Sequence, residues 1–325
     1  MTKITFEDKT FETNENESVL DCLIRSGESI TNSCRSGICQ SCILKSTSNL
    51  SGESQKGLSE AKKRAGLFLS CQEIPKSDLE VFSPDTSTSL IEAKIVEQRI
   101  VSDSVVLLKI DPVQELDYKA GQFVNLIRSD GLCRSYSIAS KTGDKELEFH
   151  IRKVPDGRMS SWFFDENLEG ETIKISDPLG ECYLSDEMNE KDLLLVGVGT
   201  GLAPLYGVVQ DCIQLGRNRK VSLFHGGLNF ESLYFVDELQ DLSQKNDFFT
   251  YQPVYLQGDV REGFLHGDLV QLIKELDYDK SNTVVMVCGD PFLVKKLKQE
   301  IFLSGVSSKN ILSDPFISPP NNEKP

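Results

Sequence analysis

The chain has 325 residues, of which 39% are hydrophobic and 26% charged, and its formal net charge at pH 7 is −15. This length predicts two or three globular domains. Acidic residues outnumber basic ones in every third of the chain, which argues against nucleic acid or an anionic membrane as a partner. The segment Met1–Glu12 has no apolar signal core, and no run of about 18 apolar residues occurs. We therefore expect a cytoplasmic monomer.

Four cysteines near the start of the chain are spaced as ligands of a metal cluster. Four residues separate Cys34 from Cys39, and two separate Cys39 from Cys42. Cys71 follows after 28 more. This is the plant-type spacing for a [2Fe–2S] cluster, in which two bridged irons each need two further thiolates, and Gly37 lets the loop bend around them. A zinc site and disulfides are the alternatives, but the spacing fits zinc less well and no sequence marks secretion.

Residues 1–85 predict a small mixed sheet with one helix, a β-grasp pattern. Ser18 begins the helix and Gly27 ends it. The predicted strands are Lys3–Phe6, Thr10–Glu12, Ile43–Lys45, a segment from Leu67 that delivers Cys71, and Leu79–Phe82. With its Cys-Arg-x-Gly-x-Cys-x-x-Cys loop, this region resembles plant-type ferredoxin domains; Gln40 departs from the very small residue often found there. The polar segment Ser83–Ser89 predicts a linker and a domain boundary.

Residues 90–188 predict a small antiparallel barrel, because short β-rich runs recur about every ten residues. One helix is predicted over Ser160–Glu166. The predicted strands are Ala93–Gln98, Val105–Ile110, Gln122–Ile127, Arg134–Ala139, Leu147–Arg152 and Ile173–Ser176.

Two motifs in this region suit an anionic, flat ligand. In Arg134-Ser-Tyr-Ser137, strand alternation puts Arg134 and Tyr136 on one face, where a guanidinium can bind phosphate and a phenol ring can stack on a heterocycle. The run Gly157-Arg-Met-Ser160 precedes a helix, whose free N–H groups form an anion site. Taken alone, the first motif is more often just an edge strand, and the second is more often just a turn.

Residues 189–316 alternate strands with helices, which predicts a parallel sheet with ligands at the carboxyl ends of its strands. The glycine turn Gly199–Pro204 follows the first strand and opens a helix, and Cys288–Pro291 follows the last long strand. The alternative for Cys288 is ordinary strand packing. The predicted elements are strands Leu193–Val198, Val221–Phe224, Phe249–Pro253 and Thr283–Val287, and helices after Pro204 and over Leu233–Leu242, Leu265–Leu276 and Pro291–Leu303.

Together these motifs resemble the ferredoxin–NADP reductase superfamily. The resemblance implies that Arg134 holds the flavin phosphate, Tyr136 stacks on the flavin ring, and Ser137 and Cys288 are catalytic residues at the point of hydride transfer. The cluster ligands would be Cys34, Cys39, Cys42 and Cys71. The implied cofactor-binding set is Arg134, Ser135, Tyr136, Ser137, His150, Ile151, Arg152, Gly157, Met159, Ser160, Gly199, Thr200, Gly201, Leu202, Ala203, Pro204, Cys288, Gly289, Asp290, Pro291 and Phe316.

The domain order is that of electron-transfer reductases of multicomponent oxygenases and of a deoxysugar-pathway reductase. It implies a flow of electrons from NADH through FAD and the cluster to a protein acceptor, with a ferredoxin domain at 1–85, an FAD domain at 90–188, a nucleotide domain at 189–316 and a tail at 317–325. FAD rather than FMN rests on the resemblance. NADH is favoured over NADPH because the strand end His225–Glu231 has no basic residue. A free-flavin reductase and a redox sensor are the other hypotheses. The exposed side of the cluster loop, with Arg35, Ser36 and Gln40, is the predicted acceptor surface.

Overall fold

A computed structural model of the chain describes residues 2–84 and 90–317. Most of the predicted linker, residues 85–89, and nearly all of the predicted tail, residues 318–325, lie outside the described residues. Seventeen strands in the described part form three sheets of five, six and six strands.

The first sheet is the predicted mixed sheet of β-grasp type. Its order is β2-β1-β5-β3-β4, with β1 parallel to β5 and the other pairs antiparallel. The Ser18 side chain caps helix α1 by accepting from the Asp21 N–H. The helix Glu60–Arg64 was not predicted. The elements are β1 Lys3–Phe6, β2 Lys9–Glu12, α1 Val19–Arg25, β3 Ile43–Ser46, α2 Glu60–Arg64, β4 Leu67–Leu69 and β5 Leu79–Phe82.

The second sheet is antiparallel and curls into a barrel. Its order is β10-β7-β6-β11-β8-β9, and the two end strands meet where the Ala139 N–H donates to the Glu148 carbonyl at 2.7 Å. The helix begins two residues earlier than predicted, after Gly157. The elements are β6 Ile91–Ser102, β7 Val105–Pro112, β8 Phe123–Ile127, β9 Cys133–Ser137, β10 Leu147–Arg152, α3 Arg158–Asp165 and β11 Thr172–Ile175.

The third sheet is wholly parallel, with the order β15-β14-β13-β12-β16-β17. Helices cover both faces, as expected for a sheet with crossover connections. The elements are β12 Asp192–Val198, α4 Leu202–Gln214, β13 Val221–Gly227, α5 Val236–Lys245, β14 Phe249–Tyr255, β15 Leu265–His266, α6 Leu269–Glu275, β16 Thr283–Gly289, α7 Pro291–Leu303 and β17 Ile311–Pro315.

Three predictions about this sheet were wrong in detail. Leu265–His266 is a short strand rather than the start of a helix, because Gly267 has a φ of +147° and Asp268 caps the helix after it. Helix α5 begins three residues later than predicted, after Phe235 in a left-handed conformation. The segment Ile311–Pro315 was not predicted as a strand, yet it pairs with β16 along its whole length.

The barrel and the parallel sheet share one hydrophobic core. Val105 and Leu107 of the barrel pack in the same buried cluster as Val208 of α4 and Leu195 of β12. This shared core fixes the barrel against the nucleotide sheet, so the ends of β9 and β17 meet in one place. In the residues that the structure describes, no helix is long and apolar enough to cross a membrane.

Candidate functional site

The cysteine loop is wound by three residues in the left-handed backbone region. Arg35 and Gln40 both have a φ of +53°, and Gly37 has +82°. Such conformations cost a non-glycine residue free energy and are typical of functional loops. A side chain at position 37 would begin 3.0 Å from the Gln72 side chain, which explains the glycine. Cys71 reaches the loop from the turn Ser70–Gln72 after β4.

The four cysteines lie as two pairs of thiols. Cys34 lies beside Cys39, and Cys42 lies beside Cys71. Across residues 2–84 and 90–317, no three His, Cys, Asp or Glu side chains gather around a single-ion site. Two pairs suit two irons that each take two thiolates, whereas zinc needs all four ligands around one ion. The donor set therefore fits the predicted cluster better than the zinc alternative.

Hydrogen bonds to sulfur favour the thiolate form that a cluster requires. The main-chain N–H groups of Ser36 and Cys39 each donate to Cys34 Sγ at 3.4 Å, and Gln72 Nε2 donates to Cys71 Sγ at 3.4 Å. A hydrogen bond from the Cys39 thiol, aided by Ser36, lowers the pKa of Cys34, and donating this bond raises the pKa of Cys39. The Cys42 thiol likewise lowers the pKa of Cys71, while the pKa of Cys42 is raised. One sulfur of each pair is therefore the more readily ionised.

Strand β9 carries the predicted Arg-x-Tyr-Ser motif on two faces. Arg134 and Tyr136 lie half-buried on one face, and the Tyr136 ring meets Phe163 of α3 edge-on at 5.8 Å. Burial raises the pKa of Tyr136, so its phenol stays neutral. A neutral ring beside a guanidinium fits the ring and phosphate of a flavin nucleotide.

The other face of β9 contacts the nucleotide sheet directly, and it reaches the cluster loop through Asn125 of the neighbouring strand β8. Ser135 Oγ donates to Asn125 Oδ1 at 2.7 Å, and Ser137 Oγ donates to Asp314 Oδ2 at 2.8 Å. Asn125 lies on β8 opposite Ser135, and Asp314 lies on β17 of the nucleotide sheet. The strand predicted to hold the flavin therefore also bonds Asn125 and Asp314, which the sequence did not indicate as site residues.

The predicted phosphate site at α3 is closed by its own side chains. Ser160 Oγ accepts from the Val154 N–H at 3.1 Å and donates to the Gly157 carbonyl. A Cβ at Gly157 would lie 2.5 Å from Ser160 Oγ, so this position needs glycine for packing. Met159 is buried in the barrel core. The part of this segment left for a phosphate is the main chain.

The predicted flavin-side segment of β10 has mixed surroundings. The His150 ring is buried between Glu148 Oε1 at 2.9 Å and the Tyr234 hydroxyl at 3.0 Å. Ile151 is buried in the barrel core, and Arg152 is exposed. Since the His150 ring is already engaged, its main chain is the part able to face a ligand.

The two predicted nucleotide turns lie against each other. A Cβ on Gly201 would lie 2.1 Å from the Cys288 carbonyl oxygen, and one on Gly289 would lie 2.5 Å from the Val198 carbonyl oxygen. This close approach follows from the pairing of β12 with β16. The Asp290 carboxylate caps α7, and the Phe316 N–H donates to the Gly289 carbonyl at 2.8 Å. The glycines thus leave main-chain N–H groups free of side chains at the carboxyl ends of β12 and β16. Such groups can bind the pyrophosphate of a dinucleotide.

His225, which sequence reasoning did not select, supports the first of these turns. It is fully buried at the end of β13, with Nε2 lying 3.3 Å from the Gly199 carbonyl and Nδ1 lying 3.2 Å from the Tyr251 hydroxyl. Burial lowers the pKa of His225 to about 4, so the ring is neutral at physiological pH. A neutral donor to the Gly199 carbonyl holds the turn in place without placing a charge in the core.

Ser137 and Cys288 are brought into one neighbourhood by Asp314. The register of β16 and β17 sets Asp314 directly beside Cys288, and the Asp314 carboxylate accepts from Ser137. Burial raises the pKa of Asp314 to about 6. Cys288 Sγ lies 3.6 Å from Cys182 Sγ, and burial raises the pKa of Cys288, so it is a thiol rather than a thiolate. The apolar pair Ile311-Leu312, two residues before Asp314, could have indicated an edge strand that carries this carboxylate.

Three protein families match successive parts of the chain. Residues 4–76 match the 2Fe-2S iron-sulfur cluster binding domain, residues 92–183 the oxidoreductase FAD-binding domain, and residues 195–299 the oxidoreductase NAD-binding domain. The reductase subunit of an aromatic O-demethylase from Amycolatopsis is 31% identical over 73% of this chain and 75% of its own. The reductase component of a naphthalene 1,2-dioxygenase system from Pseudomonas putida is 29% identical over 92% of this chain and 93% of its own.

A solved structure shows the same arrangement over almost the whole chain. The cytochrome P450 reductase GcoB of Amycolatopsis superposes with a TM-score of 0.69 at 26% identity, over 97% of this chain and 99% of its own. The fold and the three sites define an oxidoreductase that moves electrons between protein-bound cofactors. The chain belongs to the ferredoxin–NADP reductase superfamily, in the group of reductases with an N-terminal [2Fe–2S] domain. Its cofactors are a [2Fe–2S] cluster, FAD and a nicotinamide dinucleotide.

Proposed function

We propose that the chain is an NADH-dependent reductase that supplies single electrons to the oxygenase component of a multicomponent system. The observation that carries this proposal is the position of the paired strands β8 and β9. Asn125 of β8 bonds both the cluster loop and Ser135 of β9, and Ser137 of β9 bonds the nucleotide sheet. When bound, FAD can take two electrons from NADH together and release them one at a time to a cluster. The protein acceptor is suggested by the two relatives, whose names describe reductase parts of larger systems.

Different residues are proposed to hold each cofactor. Arg134 and Tyr136 are proposed to hold the flavin, and the turns at Gly199–Pro204 and Cys288–Pro291 to hold the dinucleotide. Ser137, ordered by Asp314, is proposed to orient the reacting ring. The domain limits 1–85, 90–188 and 189–316, with a tail at 317–325, remain a prediction that the three separate sheets support.

The fold places a basic residue at the end of β13, where the sequence of that strand end has none. The end of β13 has no basic residue in sequence, but the fold brings Arg261 there, stacked 3.7 Å over the Phe230 ring and paired with Glu231 at 3.7 Å. Since Glu231 and Phe230 engage this guanidinium, we propose that Glu231 faces the ribose hydroxyls and that NADH is preferred. The variant Glu231→Gln should lower the kcat/KM preference for NADH over NADPH by about tenfold, or about 1.4 kcal/mol. A preference that stays the same would contradict this role.

The contacts of Gln40 support a narrower acceptor surface than the sequence predicted. The Gln40 side chain donates to the Gly57 carbonyl at 3.2 Å and accepts from Lys62 Nζ at 2.9 Å, and it lies on the side facing the barrel, since Lys62 interacts with Asp177. Ser36 is exposed, and Ile38 keeps 43% of its surface exposed. We propose that these two residues, with Arg35, form the face that meets the acceptor. An apolar centre beside a charge is typical of a transient protein contact.

The test is reduction of cytochrome c by the purified holoprotein with NADH. Turnover should be fast with NADH and slow with NADPH. A protein that holds both cluster and flavin yet gives no turnover would exclude the reductase and favour a redox sensor. A protein that reduces free flavin equally well without its cluster would favour a flavin reductase. Adding candidate oxygenase and sugar-dehydratase components, each with its substrate, then distinguishes the two classes of acceptor by product formation.

A further inference from the structure

The cluster loop is tied to the flavin barrel by one buried amide. Asn125 Nδ2 donates to the Cys39 carbonyl oxygen at 2.9 Å, and Asn125 Oδ1 accepts from Ser135 Oγ at 2.7 Å. Cys39 is a predicted cluster ligand, and Ser135 lies between Arg134 and Tyr136, which are predicted to hold the flavin. A single side chain therefore connects the surroundings of the two cofactors.

The orientation of this amide follows from its partners. The Cys39 carbonyl can only accept a hydrogen bond, so the NH2 group of Asn125 must face it. The oxygen then faces Ser135, whose hydroxyl is left as the donor. The Asn125 main-chain N–H donates to Ser176 Oγ at 3.0 Å. In this orientation the amide oxygen and the NH2 group of Asn125 each have a partner.

The burial of Asn125 among apolar residues makes its bond to the cluster loop important for the position of that loop. Asn125 is 4% exposed and stands in the otherwise apolar run Phe123-Val-Asn-Leu-Ile of β8. A buried amide that loses its partners is unfavourable, whereas a leucine there would suit the strand. The amide is therefore satisfied only when the cluster loop sits in one register against the barrel.

A second contact reaches the same loop from β9. The Cys133 thiol, 1% exposed, lies within hydrogen-bonding distance of Ser41, and the Ser41 hydroxyl lies 3.0 Å from Cys39 Sγ. Burial raises the pKa of Cys133 to about 12. Because its thiol is covered by the cluster loop, its chemical accessibility reports whether the loop stays docked.

We propose that Asn125 is a positioning residue that holds the cluster loop against strands β8 and β9 of the barrel for electron transfer from flavin to cluster. The transfer moves one electron from the reduced flavin to the oxidised cluster, and no bond forms or breaks. This role rests on the proposed function, but the docking contact itself does not. Asn125 is not proposed as a cofactor ligand, because it bonds the Cys39 main chain and the Ser135 hydroxyl rather than a sulfur or a flavin-binding side chain.

The test uses the full-length holoprotein with Asn125→Leu and the isosteric Asn125→Asp at alkaline pH, where an ionised carboxylate cannot donate to the Cys39 carbonyl. Site-resolved alkylation of Cys133, read by mass spectrometry, measures docking without any turnover. Cys212 is the internal control, because it is also 1% exposed, its pKa is also raised to about 12 by burial, and it lies in the nucleotide domain. Asn310→Leu is the matched variant, since it removes a buried amide whose partner, Lys191, belongs to the nucleotide domain.

We expect both Asn125 variants to raise the alkylation rate of Cys133 by about tenfold, a factor equal to about 1.4 kcal/mol, without changing that of Cys212. In stopped-flow reduction by NADH, cluster reduction should slow about tenfold relative to flavin reduction. Asn310→Leu should change neither ratio. Asn125→Asp carries the test if Asn125→Leu does not fold.

Three results would overturn the proposal. Unchanged Cys133 alkylation in the Asn125 variants would show that the amide does not hold the loop. Equal increases at Cys133 and Cys212 would show general destabilisation. Faster Cys133 alkylation with an unchanged ratio of cluster to flavin reduction would show docking that electron transfer does not need. A wild-type protein without NADH-dependent reduction would instead refute the proposed function, while the alkylation result would still judge the docking contact.

Discussion

The barrel meets two neighbouring domains around strand β9, and the two junctions differ in chemistry. Toward the cluster loop, the contact is the neutral amide of Asn125 on β8, which also accepts from the Ser135 hydroxyl of β9. Toward the nucleotide sheet, Ser137 of β9 meets the ionisable Asp314, which lies beside Cys288. The Asn125 contact can control only position. The Asp314 contact can also respond to protons, because burial raises the pKa of Asp314 to about 6.

This difference fits the step expected at each junction. A single electron passing to a cluster needs proximity, and charges that titrate near neutral pH would only disturb it. Transfer between a nicotinamide and a flavin also changes protonation, so a carboxyl group poised near neutrality suits that side. The variants below test whether the two ends of β9 act separately, from the largest expected effect to the smallest.

The largest effect is expected from Cys34→Ser. Loss of one thiolate should remove the cluster and abolish cytochrome c reduction, while NADH-dependent ferricyanide reduction falls much less, because the nucleotide junction is untouched. Cys22→Ser is the matched control, since Cys22 is buried in the same sheet domain but lies outside the quartet. Visible absorption and iron content measure the cluster. Equal loss of both activities would show that the two junctions are not separable.

The next effect is expected from Gly201→Ala. Its new Cβ would lie 2.1 Å from the Cys288 carbonyl oxygen, so the two nucleotide turns must move apart. We expect a loss of about 1–3 kcal/mol in stability and a KM for NADH raised about tenfold. Gly52→Ala is the control, because a Cβ there meets nothing within 4 Å. Steady-state kinetics and denaturant unfolding measure both quantities; an unchanged KM would remove the first turn from the nucleotide site.

Asp314→Asn separates the junctions by pH. The raised pKa of Asp314 means that the folded protein binds a proton between about pH 4 and 6 that the unfolded chain does not, so this group lowers stability as pH rises through that window. The variant should therefore be more stable than the wild type at pH 7 by up to about 3 kcal/mol, and equally stable below about pH 4. The exposed Asp259→Asn is the control. Urea unfolding at both pH values measures the difference, and a pH-independent difference would contradict the assigned ionisation.

The smallest effect is expected from Arg35→Glu in the cluster loop, where the Arg35 side chain is 19% exposed and lies 3.5 Å from Asp21 Oδ1. Reversing this charge should slow electron transfer to the natural acceptor two- to fivefold at low salt, corresponding to about 1 kcal/mol or less, and ferricyanide reduction less. Lys274→Glu makes the same charge change in the nucleotide domain and should alter neither rate. Rates at low and high ionic strength measure this. Equal slowing of both acceptors would argue against docking at the loop.

The elements that the sequence predicted well are those set by local chain geometry. The cysteine loop, the Arg134–Ser137 strand and the glycine turn after β12 are contiguous segments whose residue types match one backbone shape. Helix α7 was predicted to the residue, because Pro291 and the Asp290 cap define its start. Two short segments were mistaken: Leu265–His266 was predicted as the start of a helix but pairs with β14, and β17 was not predicted as a strand.

The sequence by itself determined the three cofactor-binding domains and their order, since each is marked by a motif of a few neighbouring residues. Only the tertiary structure decided how the sites connect. Asn125 and Asp314 are ordinary polar residues in sequence, and Arg261 lies far along the chain from Glu231. They acquire their roles because strand pairing and domain docking bring them to Cys39, to Ser137 and to the end of β13. Such contacts depend on burial and on partners from other domains, which no local pattern records.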